Sequence, residues 1–379
     1  MFSSFYKNKR VFLTGHTGFK GSWLAEWLLM LGAEVHGYAL DPQPHEVLYD
    51  QLGLSRRLCS DTRADLADRA ALQRAIEKAN PEVVLHLAAQ PLVRLSYEIP
   101  IETFATNVMG TAHVLESIRL RGKPCTVVCV TTDKCYENRE WLHAYREEDA
   151  MGGYDPYSAS KGAAELVIAS YRKSFFGAST GDSKKTPDIR LASARAGNVI
   201  GGGDWALDRI VPDCIRALRK GESIPVRNKI ATRPWQHVLE PLSGYLWLAT
   251  SLASAETCSD SVAADSACLL SSAFNFGPSL TSNRTVAQLV QELIKHTGGN
   301  WTDASDPHAV HEASKLNLAT DKAFHLLQWQ SVWNFEQTIA TTAEWYQQEL
   351  ESPDVCALTQ QQIQMYQQCA TAKELTWSL

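Results

Sequence analysis

A glycine-rich turn between a short apolar strand and a bulky apolar helix constrains the fold of this chain more than any other feature. The strand covers Arg10–Thr14, the turn reads GHTGFKG at 15–21, and the helix follows at 22–31. Glycines let the backbone turn tightly and approach a pyrophosphate, which then lies on the helix N-terminus. A glycine triplet alone is weak, but its place between strand and helix predicts a dinucleotide-binding unit.

The next strand, predicted at 34–40, ends in Asp41. This acid lies about twenty residues after the glycine turn, where a carboxylate holds both ribose hydroxyls of NAD. A carboxylate also repels a 2′-phosphate, so the spacing predicts NAD rather than NADP as the cofactor.

Strands and helices continue to alternate along the first half of the chain. This alternation predicts an α/β fold of the Rossmann type, with a doubly wound parallel sheet and helices on both faces. Ligands then gather at the carboxyl ends of the strands. His86, inside an apolar strand, is interpreted as a core histidine. The predicted helices are 69–80, 101–122 and 157–176, and the predicted strands are 83–87, 126–132 and 189–194.

The texture changes after residue 194, where glycine, proline and tryptophan become frequent. We predict an NAD-binding domain at 1–194 and an interleaved, smaller mixed α/β substrate lobe at 195–379. An apolar segment near 235–252 is expected to return to the first domain. The stretches 174–188 and 253–272 are polar and look like surface loops. The glutamine-rich tail from Pro353 is expected to be peripheral.

Composition excludes several classes of function. The net charge of −6 argues against broad nucleic-acid binding, which needs a basic surface. No apolar run reaches the roughly 18 residues of a membrane span, and no hydrophobic stretch precedes Val11. We therefore expect a cytoplasmic protein with reduced cysteines and no membrane or nucleic-acid partner. His308 and His311 have no apparent third ligand, so no metal is expected.

Tyr157 and Lys161 are four residues apart on a predicted helix, so both side chains lie on one face. A nearby ammonium stabilises phenolate and is expected to lower the tyrosine pKa from about 10. Such a phenol accepts a proton from a sugar or alcohol hydroxyl. The spacing is common by chance, but here it shares a chain with the glycine turn and with Thr132, Asp133 and Lys134.

These motifs resemble those of the extended short-chain dehydrogenase/reductases, and within them the 4,6-dehydratases that act on CDP-D-glucose. The resemblance covers about residues 10–334. The glycine turn and the Tyr–Lys pair indicate only the superfamily, whereas the Thr-Asp-Lys triplet indicates a dehydratase. The specific pieces of the resemblance include GHTGFKGSWL at 15–24 and AAQPLVR at 88–94. The CDP-glucose branch is indicated by the tryptophan-bearing segments of the second lobe, RAGNVIGGGDW at 195–205 and RPWQHVLEP at 233–241.

The resemblance implies oxidation at carbon 4 of the hexose, loss of water across carbons 5 and 6, and return of the hydride to carbon 6. Tyr157, with Lys161, would take the proton of the carbon-4 hydroxyl, and Thr132 would polarise the ketone. Asp133 would be the acid that protonates the carbon-6 hydroxyl. Lys134 occupies the position of the base, where related dehydratases carry glutamate. Since a lysine must first lose its proton to act as a base, Lys134 could instead stabilise an enolate.

Further residues are assigned to ligand contacts. Arg233 is the best candidate for the pyrophosphate, because guanidinium pairs bidentately with phosphate oxygens. Arg209 is a second candidate, with a surface ion pair as the alternative. The substrate residues are Gln90, Ser96, Asn198, Arg209, Arg233 and His237. The cofactor residues are Gly15, Thr17, Gly18, Phe19, Gly21, Asp41, Asp61, Thr62, Ala88, Ala89, Gln90, Asn107, Tyr157 and Lys161.

Other functions compete with a CDP-glucose dehydratase. An NAD-dependent sugar-nucleotide epimerase needs the Tyr–Lys pair but no acid–base pair at carbons 5 and 6. A dehydratase for another nucleotide-linked glucose differs only in the base that it recognises, and no residue identifies that base. A non-catalytic NAD-binding regulator is disfavoured because Tyr157 and Lys161 are both present. The helices 101–122 and 157–176 resemble those that pair into a four-helix interface in this superfamily, which implies a homodimer or homotetramer.

Overall fold

A seven-stranded parallel sheet forms the centre of the molecule. The computed structural model describes residues 1–42, 48–176, 188–255, 269–305, 315–352 and 354–379. The strands of the central sheet are β1 Arg10–Thr14, β2 Glu34–Ala39, β3 Ser60–Arg63, β4 Val83–His86, β5 Cys125–Val130, β6 Ile189–Ala196 and β11 Ala273–Phe276. The shorter strands are β7 Val199–Ile200, β8 Ile224–Val226, β9 Thr232–Pro234, β10 Gln236–His237, β12 Asn283–Thr285 and β13 Trp301–Asp303.

The strand order is β11-β6-β5-β4-β1-β2-β3, and every neighbouring pair is parallel. The predicted Rossmann-type fold class is therefore confirmed. The order reverses direction at β1, which lies between β2 and β4. In this fold the crevice at the carboxyl ends of the strands, near such a reversal, is where ligands bind.

Helices of very different lengths accompany these strands. Their bounds are α1 Phe19–Met30, α2 Leu48–Gln51, α3 Arg69–Ala79, α4 Val93–Glu98, α5 Pro100–Phe104, α6 Gly110–Arg121, α7 Pro156–Ser174, α8 Ile210–Arg219, α9 Leu239–Ser254, α10 Val286–Thr297, α11 Asp321–Leu327, α12 Phe335–Glu351 and α13 Val355–Ala372.

Two hydrophobic clusters cover the two faces of the sheet. On one face α1 and α9 pack against the strands, with Trp23 and Leu246 in the same cluster as Val128. On the other face α3, α6 and α7 supply a cluster that includes Leu115 and Val127. Every residue of β4 and β5 is buried. A parallel sheet with both faces covered explains the continuously apolar strands seen in the sequence.

The second half of the chain builds three two-stranded ladders, β7 with β10, β8 with β13, and β9 with β12. It also returns to the central sheet, where β11 pairs with β6. Helix α9 includes the segment that was expected to return. The division at residue 194 stays a prediction, and β6 continues through that position to Ala196.

The C-terminal tail is not peripheral. Tyr366 of α13 and Trp377 are fully buried, and the indole ring of Trp377 stacks on Phe2 with ring centroids 5.3 Å apart. The glutamines suggested a solvated tail because they dominate the composition. The apolar residues between them are spaced to form one buried face, and this face docks the helix on α1.

Several boundaries differ from the predicted ones. The helix expected at 101–122 begins at Pro100 as α5, passes through a π-helical segment Ala105–Met109, and ends as α6 at Arg121. Strand β5 ends at Val130, before Thr132, because a 3₁₀ turn begins at Asp133.

Parts of the expected loops, together with His308 and His311, lie outside the described residues. No described helix is both long and apolar enough to cross a membrane. Within the same ranges, no three His, Cys, Asp or Glu side chains are grouped so as to hold a metal ion.

Candidate active site

The turn after β1 is closed so tightly that glycine is required. Gly15 has a φ of +75°, and a Cβ there would lie 2.7 Å from the backbone nitrogen of Ala88. A Cβ at Gly21 would lie 2.0 Å from the carbonyl oxygen of Gly15. Gly18 is the N-cap of α1 and supplies no side-chain cap. The first backbone N–H groups of the helix are therefore available to an anion above the turn.

Asp61, assigned to the cofactor, lies within β3 and not after it. Its carboxylate is already engaged, since His16 Nε2 lies 2.8 Å from Oδ1 and the Tyr49 hydroxyl donates to Oδ2 at 2.5 Å. Arg63 Nε also lies 3.0 Å from Oδ1. Asp41 is exposed at the end of β2. Of the two acids, Asp41 is the one whose carboxylate faces solvent at this edge, and Asp61 orders its neighbours.

Three further assigned residues turn out to hold the site together. The Asn107 amide accepts from Gln90 N at 2.8 Å and donates to the Ser160 hydroxyl at 2.8 Å. The Gln90 amide donates to Thr103. The Ser96 hydroxyl accepts from Tyr157 N at 3.2 Å and donates to the carbonyl of Val93. Direct contact of Gln90, Ser96 and Asn107 with a ligand stays a prediction, because protein partners use their polar atoms in this structure.

Asp133 is the most deeply desolvated acid at the carboxyl edge of the sheet. It is 2% exposed, and burial raises its pKa above the ordinary range. Oδ1 accepts a hydrogen bond from the Thr132 hydroxyl at 2.9 Å. Oδ2 has no hydrogen-bond partner and lies 3.0 Å from the position of a Cβ at Gly197. A protonated carboxyl with one unsatisfied oxygen is suited to donate a proton to a bound group.

Tyr157 and Lys161 lie at the beginning of α7. Asp155 caps this helix by accepting from Ser158 N at 2.9 Å, and Pro156 occupies its first turn. Both side chains are nearly buried, with 8% and 6% exposure. The Tyr157 hydroxyl is within hydrogen-bonding reach of Thr132. The structure thus brings Thr132, Asp133 and Tyr157 together, and Lys161 lies one helical turn after Tyr157 on α7.

The expectation that Lys161 lowers the pKa of Tyr157 was wrong for the protein on its own. Burial raises the pKa of Tyr157 to about 12, and this outweighs the lowering by Thr132 and by the Arg209 cation. Burial also lowers the pKa of Lys161 to about 8. The sequence spacing indicated the charges, but it carried no information on how much water the site excludes.

Cations face the acid from several elements. Arg233 of β9 is 7% exposed and acts on Asp133 through its charge. Arg209 pairs with Asp204 at 2.9 Å, and its charge also reaches Tyr157. Lys20, within the glycine turn, has Arg209, Asp133 and Lys161 as charged neighbours, and burial lowers its pKa to about 8. The second lobe and the glycine turn therefore meet over the same acid.

His237 is placed differently from its assignment. It is fully buried, and its ring packs edge-on against Trp23 and Trp333. Its Nδ1 accepts from Leu239 N at 3.3 Å. This environment is an aromatic core, so its contact with substrate stays a prediction.

The other assigned residues lie along the crevice. The Thr17 hydroxyl donates to the carbonyl of Leu40, and the Phe19 ring approaches Gly201 of the second lobe. Ala88 N donates to Thr14 Oγ1 at 3.2 Å. The remaining partly buried residues are Thr62, Ala89, Lys134 and Asn198.

Sequence reasoning missed Lys20 and Glu165. Lys20 lies inside the quoted glycine motif but received no role, since the motif is defined by its glycines. Glu165 lies four residues after Lys161, on the same face of α7, and is 4% exposed. That spacing was visible in the sequence, but the burial of the carboxylate was not.

The chemistry of these groups suits a hydroxylated substrate. A phenol beside a cation can exchange a proton with one hydroxyl, and a neutral carboxyl can protonate another. The glycine turn also brings the N-terminus of α1, which can bind an anion, close to Asp133. A Rossmann-type sheet with this Tyr–Lys pair defines the class of short-chain dehydrogenase/reductases.

Comparison with known proteins identifies the family within this class. The model of the GDP-mannose 4,6-dehydratase family matches residues 12–342, and the chain belongs to this family. A CDP-glucose 4,6-dehydratase from Salmonella typhimurium is 43% identical over 370 residues, which cover 97% of this chain and 99% of that protein.

Solved structures share the fold. DesIV, a dTDP-glucose 4,6-dehydratase from Streptomyces venezuelae solved with NAD and TYD bound, has a TM-score of 0.73 and 20% identity, covering 90% of this chain and 98% of that one. A UDP-glucose 4-epimerase from Thermotoga maritima, solved with UDP-glucose, has a TM-score of 0.73 and 21% identity, covering 90% and 99%. Dehydratases and epimerases thus share this architecture, and the site must distinguish them.

The raised pKa of Asp133 leads to a prediction about stability. The folded chain holds this proton more strongly than the unfolded chain, so the protonated carboxyl stabilises the fold at low pH. That contribution is lost as the pH rises through the folded pKa. Asp133→Asn cannot ionise, and we expect it to raise the free energy of unfolding at pH 7 by about 0.5–2 kcal/mol.

Urea unfolding at several pH values measures this difference. The gain should vanish below about pH 3.9, the ordinary aspartate pKa, where both states bind the proton. Asp50→Asn, at an exposed position of α2, is the control and should show no such pH-dependent gain. A loss of stability in Asp133→Asn at pH 7 would contradict the assignment of a desolvated, protonation-favouring site.

Proposed function

We propose that this chain converts CDP-D-glucose to CDP-4-keto-6-deoxy-D-glucose, with NAD as a regenerated cofactor. The reaction type is supported by membership of the 4,6-dehydratase family. The choice of CDP-glucose is supported by the relative from Salmonella typhimurium, which matches along nearly the whole of both chains. The observation in the structure that carries the proposal is the buried, unsatisfied carboxyl oxygen of Asp133 beside Tyr157.

The residues after β1 fit a dinucleotide. The turn has no room for a Cβ at Gly15 or Gly21, so the backbone can approach a pyrophosphate closely. Asp41, exposed at the end of β2, suits the adenosine ribose, and Lys161 suits the ribose next to the nicotinamide. NAD held by these residues would supply a hydride acceptor for carbon 4 of the sugar and, once reduced, a hydride donor for carbon 6.

Tyr157 accepts the proton of the carbon-4 hydroxyl in the first step. In the structure the phenol has a pKa of about 12, so its proton is not lost freely near neutral pH. Arg209 and Thr132 keep this pKa from rising further, because a cation and a hydrogen bond both favour phenolate. Thr132 then holds the carbon-4 oxygen, which becomes a ketone and acidifies the hydrogen on carbon 5.

Asp133 donates a proton to the carbon-6 hydroxyl, which leaves as water. Burial raises the pKa of this carboxyl and so favours the protonated form that an acid needs. Lys134 follows directly and is partly buried. It either removes the carbon-5 proton and returns it to carbon 5 when the hydride reaches carbon 6, or it stabilises the enolate while water carries that proton. Its charge already acts on Asp133. An epimerase has no water to expel, so a desolvated acid at this point favours the dehydratase.

The substrate pyrophosphate is assigned to Arg233, with Arg209 beside it. Both guanidinium groups belong to the second lobe, and their charges act on Asp133 and Tyr157 respectively. A diphosphate bound between them would place the attached hexose against the turn that carries Thr132, Asp133 and Lys134. Asn198, which is partly buried next to Gly197, is assigned a hydrogen bond from its amide to the sugar or the diphosphate.

We also propose a homodimer or a larger homo-oligomer. Apolar side chains remain exposed on the helices that are expected to pair, with Ile101 at 74%, Met109 at 52% and Leu166 at 63% exposure. Covering them with a second copy would remove this apolar area from water. Sedimentation measures the assembly, and a purely monomeric chain would refute it. A cytoplasmic location stays a prediction from the sequence.

Incubation with NAD and CDP-glucose tests the function. The expected product has lost one water by mass spectrometry and absorbs near-ultraviolet light in alkali, as a 4-keto sugar does. A product of unchanged mass would identify an epimerase, and faster turnover of dTDP-glucose or UDP-glucose would change the nucleotide assignment. No turnover of any of these substrates would refute the proposed reaction.

The role of Tyr157 gives a second prediction. Tyr157→Phe removes the proton acceptor but keeps the ring in its buried position, so the fold should be retained. We expect kcat to fall by about 10²–10⁴-fold, the usual effect of removing a general acid or base. Tyr154→Phe, which changes an 81% exposed phenol on the same approach to α7, is the matched control. Wild-type turnover in Tyr157→Phe would refute the role of Tyr157 as the proton acceptor.

The glycine turn gives a third prediction. Gly21→Ala places a methyl group 2.0 Å from the Gly15 carbonyl, so the turn must deform. Gly18→Ala places it 3.5 Å from the same oxygen, an ordinary contact. We expect NAD affinity, measured by calorimetry, to fall about tenfold or more for Gly21→Ala. Wild-type affinity in Gly21→Ala would show that the crowding seen inside the turn does not govern affinity.

A further inference from the structure

A buried ion pair lies beneath the turn 131–136, which carries Thr132, Asp133 and Lys134. It takes no part in the reaction described above. The Glu165 carboxylate of α7 accepts from Arg195 Nη2 at 2.9 Å and from the Ser193 hydroxyl at 2.8 Å, both on β6. It also accepts from the Thr131 hydroxyl, next to Thr132. Glu165 is 4% exposed and so is Arg195. The carboxylate therefore links α7, β6 and the end of β5.

Arg195 extends this link to the far side of the turn. Its Nη1 donates to the Tyr136 hydroxyl at 2.7 Å and to the carbonyl of Glu147 at 3.0 Å. The Tyr136 hydroxyl in turn donates to Asn275 of β11 at 2.7 Å. The turn 131–136 is thus braced at both ends by one connected network. A charge fixed by so many hydrogen bonds can act on a neighbour without moving.

Lys161 is that neighbour. It lies one helical turn before Glu165, so the two side chains share a face of α7. The other titratable groups that face Lys161 come from four elements and are not anions at neutral pH. Burial raises the pKa of Cys129 to about 12 and that of Cys135 well above its ordinary value, so both remain thiols.

The remaining charged and titratable neighbours of Lys161 do not stabilise its ammonium either. Burial lowers the pKa of His86 to about 3, which leaves its imidazole neutral. Lys20 is itself basic and repels the Lys161 ammonium. Among the described residues whose charges act on Lys161, Glu165 is therefore the standing anion at neutral pH.

We propose that Glu165 is a positioning residue of this enzyme, whose carboxylate, held by Thr131, Ser193 and Arg195, keeps the Lys161 side chain cationic and fixed beside Tyr157. This deepens the proposed function and rests on it for its catalytic meaning. The physical reason is that a nearly dry ammonium would lose its proton near neutral pH unless an anion lay beside it. The same carboxylate aligns the backbone at Thr131, which leads into Thr132 and Asp133.

The test measures the protonation of Lys161 directly and without substrate. The chain is produced with lysine labelled by ¹³C at the ε carbon, and the Lys161 resonance is assigned by its absence in Lys161→Arg. In the wild type we expect this resonance to titrate with a midpoint near pH 8. In Glu165→Gln, which keeps the size and loses the charge, the midpoint should fall by about one pH unit or more.

A lower midpoint means that Lys161 becomes neutral as the pH rises through a lower value. The alkaline limb of kcat against pH for CDP-glucose should therefore move to lower pH by the same amount. Ser193→Ala is the matched control, because it removes one hydrogen bond to Glu165 and leaves the charge in place. Its Lys161 midpoint should stay near that of the wild type.

Removing one member of a buried pair can also unfold a protein. The double variant Glu165→Gln/Arg195→Met removes both charges and leaves no unpaired guanidinium, and its Lys161 midpoint should also fall. An unchanged midpoint in a folded Glu165→Gln or in the double variant would overturn the proposal, even if stability decreases. Since the titration uses no substrate, a wild type that fails to turn over CDP-glucose refutes the proposed function alone.

Discussion

Exclusion of water from the carboxyl edge of the sheet is the constraint on which the rest of this molecule depends. It raises the pKa of Asp133 and Tyr157 and lowers that of Lys161 and Lys20 to about 8. Each shift favours the neutral form of the group, because a charge in a dry site loses its hydration. A neutral carboxyl can then donate a proton, whereas cations persist only where anions support them.

Segments that are distant in the sequence together exclude water from this edge of the sheet. The glycine turn presses against the strand ends, and the second lobe brings Arg209 and Arg233 over the same edge. The C-terminal helices seal the outer side. A Cβ at Gly202 would lie 1.9 Å from the Trp345 ring, which shows how closely this lobe and α12 are packed. The tail that composition suggested was peripheral is buried against α1, where the Tyr366 ring meets Trp27 with ring centroids 5.8 Å apart.

Much of the fold followed from local pattern. The alternating apolar strands and helices predicted the parallel sheet, and the glycine spacing predicted the turn between β1 and α1. The Tyr157–Lys161 spacing placed both side chains on one helix face. The sequence pattern could not show which groups a polar side chain hydrogen-bonds in the folded protein. Ser96 and Asn107 look like ligand contacts in sequence, yet both support the backbone around the site.

The sequence by itself determined the sheet, the dinucleotide turn and the identity of the reacting groups. These depend on interactions between near neighbours along the chain, such as apolar periodicity and the absence of a Cβ. Only the tertiary structure decided the protonation of those groups and which of them are bound by protein. Both depend on desolvation and on charges from separate segments, as when Glu165 of α7 meets Arg195 of β6.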